Sequence, residues 1–294
     1  MLNFRRLAAK LFLLATTALV CADLATANEL PKKKKHYGPL VHMGHAPSAD
    51  INAFSWTGFH IGIGGGASFL RSASKVHAHT HQQGNNGGYF ETYTSDQMID
   101  QVLQGTGGFG TVAAGYDRRS GNVVLGGFAD LSFGSVSAST SVTDNTHSRI
   151  DELNVDFPAT ATLSHVVSMS NDATLGARVG FLANDKTLFY ALGGFSLANV
   201  NVSSKLDVTH GLDSALSNFS LGTSYQGWKP GFTVGTGVEF VLSEHLTLQA
   251  EYRYSNYGNI QSNNAVTLSD GSSTISQNVD LSDQTVRAIL QYHF

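Results

Sequence analysis

The stretch GFHIGIGGGASF, residues 58–69, places apolar side chains at alternating positions. The opposite positions carry a histidine, a serine and glycines, as in an extended strand with one lipid-facing side. Its two flanking phenylalanines are ten residues apart, about 33 Å of strand, or ~23 Å of height at a 45° tilt. That height matches an apolar band ~25 Å tall with aromatic residues at both edges. The stretch therefore predicts a strand that crosses a bilayer, with its apolar side formed by Phe59, Ile61, Ile63, Ala67 and Phe69.

Seven further segments show the same alternation, and most reach the ~9–11 residues that a tilted strand needs to cross a bilayer. The segment 187–198 is apolar on both faces, so its facing stays unassigned. The eight predicted strands are residues 56–70, 107–117, 123–134, 173–182, 187–198, 228–241, 246–255 and 281–294.

The connections between these segments alternate in length. Short turns fall at residues 118–122, 183–186 and 242–245, whereas long polar segments begin near Arg71, Ser135, Asn199 and Asn256. Short turns on one side and long loops on the other are typical of bacterial outer-membrane barrels. The pattern predicts an all-β fold, an eight-stranded antiparallel transmembrane β-barrel with short periplasmic turns and four long extracellular loops.

The N-terminus and the composition agree with export. Residues 1–27 combine a basic start, a short apolar core and small residues before a cleavage position, which predicts a signal peptide. Residues 28–55 are then a periplasmic segment and residues 56–294 the barrel in the cell outer membrane. The only cysteine, Cys21, lies in the signal, so no cysteine metal site is expected. The formal net charge of −4 excludes a basic nucleic-acid-binding domain.

Charged residues within the strands fall at inward positions. They are three acids and three bases, and a buried charge without a partner costs several kcal/mol, so a balanced network is expected inside a sealed barrel. An eight-stranded barrel is only wide enough for side chains to fill it, which favours this plug over a conducting pore. The predicted network is Asp130, Arg178, Glu239, Glu251, Arg253 and Arg287.

Several blocks resemble the small outer-membrane β-barrel family of alphaproteobacteria, which includes major surface antigens and haemin-binding outer-membrane proteins. They include AAGYDRRSGNVVLGGFADLSF (residues 113–133), GVEFVLSEHLTLQAEYRYSNYG (237–258) and the terminal VRAILQYHF. The resemblance implies a barrel surrounded by outer-membrane lipid, and haemin binding for one branch of the family. The family usually carries an acid two residues before Asp130, where this chain has Phe128, so the interior network is expected to be one carboxylate short.

The last strand ends on alternating apolar side chains, Leu290, Tyr292 and Phe294. Such a strand offers an open edge for pairing before the barrel closes. In the family that it resembles, this ending is the signal read by the outer-membrane assembly machinery. Phe294 can also serve as a girdle aromatic.

Three histidines alternate in the first long segment, so they share one face of an extended chain. Haem needs an imidazole on its iron and cations for its propionates, and Arg71 and Lys75 lie nearby. The resemblance favours haem over a bare transition metal, and a solvated polar loop is the competing interpretation. The predicted haem-binding residues are His77, His79, His81, Lys75 and Arg71, with His147, His165 and His210 as further loop histidines.

The sequence predicts no enzyme. Ser243, Glu244 and His245 are consecutive in a tight turn and point in different directions, whereas catalytic triads converge in space. Three functions therefore remain in order of preference: a haemin-binding surface barrel, a structural surface antigen or adhesin that contacts host surface proteins, and a narrow porin.

Overall fold

The computed structural model describes residues 54–294. The expected signal peptide and nearly all of the expected periplasmic segment lie outside these residues. No helix in the described part is long and apolar enough to cross a membrane. The described chain forms nine antiparallel strands: β1 (Gly58–Asn86), β2 (Tyr89–Ser120), β3 (Val123–Gly134), β4 (Val136–Ile150), β5 (Val155–Asn184), β6 (Thr187–His210), β7 (Phe219–Val241), β8 (Leu246–Leu268) and β9 (Gly271–His293).

The strands close into a ring because β9 pairs with both β8 and β1. Strands β3 and β4 follow one another in the same place of the ring, between β2 and β5. Both pair with these two strands, and only Ser135 separates them. The ring therefore has eight positions, which confirms the predicted eight-stranded antiparallel barrel. The final strand, predicted to be an open edge during assembly, is paired on both sides in the folded protein.

The four long polar segments differ from the prediction because they are mainly paired strand rather than irregular loop. The β1–β2 register, for example, continues without interruption to Asn86 and Tyr89. The connections at this end are residues 87–88, 151–154, 211–218 and 269–270. The segments looked like loops because their outward side chains are polar. Between these outward residues lie inward ones, and several of them are small apolar residues that are buried, such as Val76 and Ala78.

Apart from β3 and β4, the strands have 23 to 32 residues and are about two to three times as long as a bilayer crossing requires. We call residues 71–104, 136–169, 199–227 and 259–281 the outer section. Two ladders stop there. The β7–β8 ladder ends at Phe232–Asn256, and β2 and β4 share only two register pairs. The outer section therefore consists of two four-stranded sheets, β4–β5–β6–β7 and β2–β1–β9–β8, packed face to face.

Side chains fill the interior along its height. Two apolar clusters lie between the sheets of the outer section, one around Leu281 and Val202 and a second around Leu163 and Leu206. We call the strand residues outside the outer section the membrane section. Its outward faces carry exposed apolar residues, as predicted for β1. The facing of the segment 187–198 is now assigned, because Phe189 and Phe195 point outward while the inward side chains are buried: Leu188, Tyr190 and Leu192.

Trp56 closes the end of the barrel that carries the short turns. The sequence placed it in the first strand, but β1 begins at Gly58, and Trp56 is buried in an apolar cluster with Leu182 and Leu188. Its indole Nε1 donates a hydrogen bond to the backbone oxygen of Asp185 at 3.0 Å. Burial of a large ring with its N–H satisfied explains why the chain folds across the barrel mouth here instead of extending the strand.

Candidate functional site

The three alternating histidines lie on the outward face of β1 in the outer section. His77, His79 and His81 are exposed, whereas the residues between them point into the apolar core. Neighbouring rings in this row are separated by two residues, about 7 Å of strand. We call this row, with Lys75 on the same face, the histidine face. The structure thus brings the histidines together as the spacing predicted.

A carboxylate on the neighbouring strand fixes two of the rings. Asp96 of β2 is the register partner of His79. Its Oδ1 accepts a hydrogen bond from Nδ1 of His79 at 2.8 Å and one from Nε2 of His77 at 3.2 Å. The bond from His79 is the main cause that holds the pKa of Asp96 below its usual range. Asp96 was not recognised from sequence, because register across a hairpin cannot be read from one strand.

The contacts of His79 and His81 decide which ring nitrogens stay available for a ligand. His81 bonds through Nδ1 to the hydroxyl of Thr94 at 3.1 Å. Both His79 and His81 therefore use Nδ1 within the sheet, and neither Nε2 has a hydrogen-bond partner among the described residues. An imidazole whose Nδ1–H is held by a carboxylate presents Nε2 as a fixed and more basic metal ligand. His79 has this arrangement.

The two predicted cations, Lys75 and Arg71, lie at different distances from the histidines. Lys75 lies two residues from His77 and forms an ion pair with Asp100, with Nζ and Oδ2 3.3 Å apart. Its side chain is 71% exposed, and such a pair contributes little, so Lys75 can exchange Asp100 for another anion. Arg71 shares the outward face, but it lies six residues, or about 20 Å, below His77.

A groove of about 530 Å³ adjoins the histidine face on the outer surface of the β2–β1–β9–β8 sheet. The side chain of Met98 borders it on one side and those of Gln261 and Asn263 on the other. A second groove of about 270 Å³ lies below it, and Lys75 and Asn278 border both. The larger groove is lined by Lys75, Val76, His77, Met98, Gln261, Ser262, Asn263, Ser276, Gln277 and Asn278.

The other outer-section histidines lie apart from this face. His147 is exposed on β4, 3.7 Å from a carboxylate oxygen of Asp156. His165 is fully buried between the sheets, where it bonds to Ser204 and Ser74. His210 is partly buried and bonds to Gln82. Within residues 54–294, no group of three or more His, Cys, Asp or Glu side chains is arranged to hold a metal ion by itself.

The six predicted interior charges all lie buried inside the barrel, in two groups. In the first group, Arg178 makes two bonds to the carboxylate of Asp117 and one of 2.9 Å to Glu239. Two histidines adjoin these acids: His60 Nε2 is 3.4 Å from Asp117, and His293 Nε2 is 3.2 Å from Glu239. Asp117 was missed because it stands next to a predicted turn.

The second group is a ring of two acids and two bases. Asp130 accepts a hydrogen bond from Nη1 of Arg287 at 3.2 Å and forms an ion pair with Arg253, whose Nη1 lies 2.8 Å from its Oδ2. Glu251 contacts the same two guanidinium groups. The network was expected to be one carboxylate short, but Asp117 supplies a further acid. The two groups together therefore contain four acids. Phe128 stands where the family's acid would be, and its ring lies under the guanidinium of Arg253, 4.9 Å from ring centre to Cζ.

The Ser243–His245 turn does not assemble as a catalytic group in the described chain. Nδ1 of His245 bonds to the backbone oxygen of His293, and its ring stacks on Tyr292. Ser243 closes the turn through backbone bonds to Leu246. The expectation that the chain is not an enzyme stays a prediction.

Comparison with known proteins identifies relatives of the whole barrel. The chain is 29% identical over 253 residues to the 31 kDa outer-membrane immunogenic protein of Brucella melitensis, which covers 85% of this chain and 88% of that protein. It is 25% identical over 206 residues to the 22 kDa outer membrane protein of Rhizobium leguminosarum, covering 70% of this chain and 66% of that protein.

Two solved structures are similar at low identity. OprG of Pseudomonas aeruginosa is 12% identical with a TM-score of 0.32, over 83% of this chain and all of that one. The outer membrane protease OmpT of Escherichia coli is 11% identical with a TM-score of 0.38, over 84% of this chain and all of that one. The family model described as outer membrane protein beta-barrel domain matches residues 39–294. The chain therefore belongs to the outer membrane protein β-barrel family and is located in the outer membrane.

Proposed function

We propose that this outer-membrane barrel binds haemin on its histidine face, with Nε2 of His79 as the iron ligand. The observation that carries the proposal is the bond between Nδ1 of His79 and Asp96, which fixes the ring and leaves Nε2 on the outward side. His81 presents its Nε2 in the same way two residues along the strand, so it is the second candidate ligand.

The surroundings suit a flat, largely apolar ligand with two carboxylates better than a bare ion. Met98 supplies an apolar, polarisable surface beside His77, and the groove there has room for part of a ring system. Lys75 is the cation within reach of a propionate, whereas Arg71 is too distant to act together with the histidines. A bare metal ion is best held by several protein ligands that converge on one point, and the described residues offer no group of three or more His, Cys, Asp or Glu side chains that could hold one.

Haemin titration of the folded protein in detergent tests the proposal. Wild type should shift the Soret band as histidine ligation does, and replacing His77, His79 and His81 with alanine should remove most of the binding. The matched control is His147→Ala, an exposed histidine on the other sheet, which should bind as wild type does. Unchanged binding in the triple variant would contradict the proposal. Acidification should weaken binding, because a protonated imidazole cannot ligate iron.

A second function, as a surface antigen or adhesin for host surface proteins, is supported by the tip of the outer section. The buried carboxylate of Glu91 accepts bonds from Asn86, Ser148 and Ser214, and so ties three connections together. Exposed apolar side chains surround this tie: Tyr89, Phe90, Leu153 and Leu212.

Its test separates the two functions. Replacing Phe90 and Leu212 with serine should reduce adherence to host cells and leave haemin binding unchanged. Adherence equal to that of wild type would contradict this second candidate. The Brucella relative is named as immunogenic, which fits an accessible tip.

A further inference from the structure

The seam between β2 and β4 differs from the other walls of the outer section. These strands share only the register pairs Glu91–Ile150 and Thr92–Arg149, at the tip. Below them, β2 pairs with β1 and β4 pairs with β5, until the β2–β3 ladder begins at Phe109–Gly134. Over roughly a dozen residues, two strands therefore face each other without a ladder.

Long side chains bridge this seam in place of the backbone. Gln101 donates to the hydroxyl of Thr140 at 2.9 Å, and Gln97 reaches Asp144 at 3.4 Å. The other incomplete seam, between β7 and β8, is closed more tightly, since Asn264 and Lys229 each bond to backbone oxygens of the opposite side. The β2–β4 seam is thus the more open of the two.

The exposure of β4 shows where the seam opens. Residues 141–145 are all exposed, although alternation along a strand should bury every second one. Val142, which occupies an inward position, is 36% exposed. Residues 136–143 also contain no charge and no proline, the features with which proteins usually protect an edge strand. Such an edge is a template for another strand.

We propose that the β4 edge accepts an extended, basic polypeptide segment from a partner, which adds a strand between β4 and β2. The backbone of the segment would pair with β4, and its inward side chains would cover Val142. Its outward side chains would face Asp96 and Asp100 of β2, whose carboxylates stay exposed although they contact His79 and Lys75 of β1, so basic residues fit on their β4 side. The site lies on the opposite edge of β2 from β1, and it adjoins the histidine face because Asp96 and Asp100 also contact His79 and Lys75.

The test uses the full protein in detergent and a synthetic nonapeptide of alternating valine and lysine. The matched controls are two forms of the same peptide, one N-methylated at the odd-numbered amides and one at the even-numbered amides. Each form keeps the charge but loses the N–H donors along one edge of the strand. We expect saturable binding of the first peptide and at least a tenfold weaker affinity for one methylated form. Equal affinities, or no saturable binding of the unmethylated peptide, would overturn the proposal.

Disulfide trapping locates the peptide. A cysteine-bearing peptide should be trapped by Thr143→Cys on β4 at least tenfold faster than by Thr274→Cys, an exposed position on β9 that is paired on both sides. Equal trapping at both positions would overturn the proposal. Spontaneous dimers of Thr143→Cys, together with dimeric wild type, would show that a second copy of the chain occupies the edge instead and would also overturn it.

Discussion

The two groups of interior charges give different roles to individual arginines. Arg178 is the only arginine that contacts Asp117 and Glu239 in the described chain, whereas Arg253 and Arg287 both contact Asp130. Removing one partner of a buried ion pair typically costs about 3–5 kcal/mol, because the other charge stays buried.

Arg178→Ala should therefore destabilise the barrel by roughly that amount, and Arg253→Ala by clearly less, since Arg287 still neutralises the shared carboxylates. The control is Arg119→Ala, which removes a partly exposed ion pair with Asp185 and should change little. The urea midpoint for unfolding in detergent measures all three. Equal losses for Arg178→Ala and Arg253→Ala would contradict the division into two groups.

His165 predicts a pH dependence of the outer section. Burial lowers the pKa of His165 to about 4, from an ordinary value of 6.5, so the folded state keeps it neutral. As pH falls from about 6.5 to 4, the unfolded state takes up a proton that the folded state refuses. Stability should therefore fall by up to about 1.4 kcal/mol per pH unit in this window.

The variant His165→Gln cannot titrate and should lose less stability than wild type between pH 7 and 4.5. Hydrogen exchange of the outer-section amides, compared between the two proteins at both pH values, measures the difference. The same pH slope in both would show that another group causes it.

At the scale of elements, the carboxylate of Glu91 joins three of the connections at the tip of the outer section. Burial alone would raise the pKa of Glu91, but hydrogen bonds from Ser148, Ser214, the backbone of Ala215 and Asn86 hold it below its usual range. Glu91 is therefore ionised in the folded state. The stability that its charge contributes is lost only when the pH falls through that lowered pKa.

Glu91→Gln keeps the shape of the side chain and removes the charge that strengthens these bonds. Hydrogen exchange in residues 211–218 and 147–151 should accelerate, while the membrane section stays protected. Glu152→Gln, at an exposed position in the same tip, is the control and should leave exchange unchanged. Unaltered exchange in Glu91→Gln would mean that backbone and apolar contacts alone hold the connections.

The same elements show what sequence could and could not predict. Alternation identified the membrane strands, because lipid on one side and packing on the other impose a period of two. It failed in the outer section, where water outside and small residues such as Ala78 inside weaken the contrast. The partners Asp96 and Asp117 depended on register between strands, which a single sequence does not display. The alternating histidines were visible, but the nitrogen left available on His79 was not.

At the largest scale, side chains fill the interior of the described barrel. Two buried charge groups occupy the membrane section, and two apolar clusters occupy the outer section above them. An eight-stranded barrel packed in this way leaves no continuous aqueous path. Planar-bilayer recordings of wild type should show no steady conductance. Reproducible channels of fixed size would contradict the sealed interior and favour the narrow porin.

Haemin binding by a fixed imidazole is the central claim, and the haemin dissociation constant of His79→Ala measured beside wild type tests it most directly. Loss of the oriented ligand should raise the dissociation constant at least tenfold, and Asp96→Asn should give a smaller rise, because it removes only the group that orients the ring. A dissociation constant for His79→Ala equal to that of wild type, in protein shown to be folded by heat-modifiable migration, would contradict the claim.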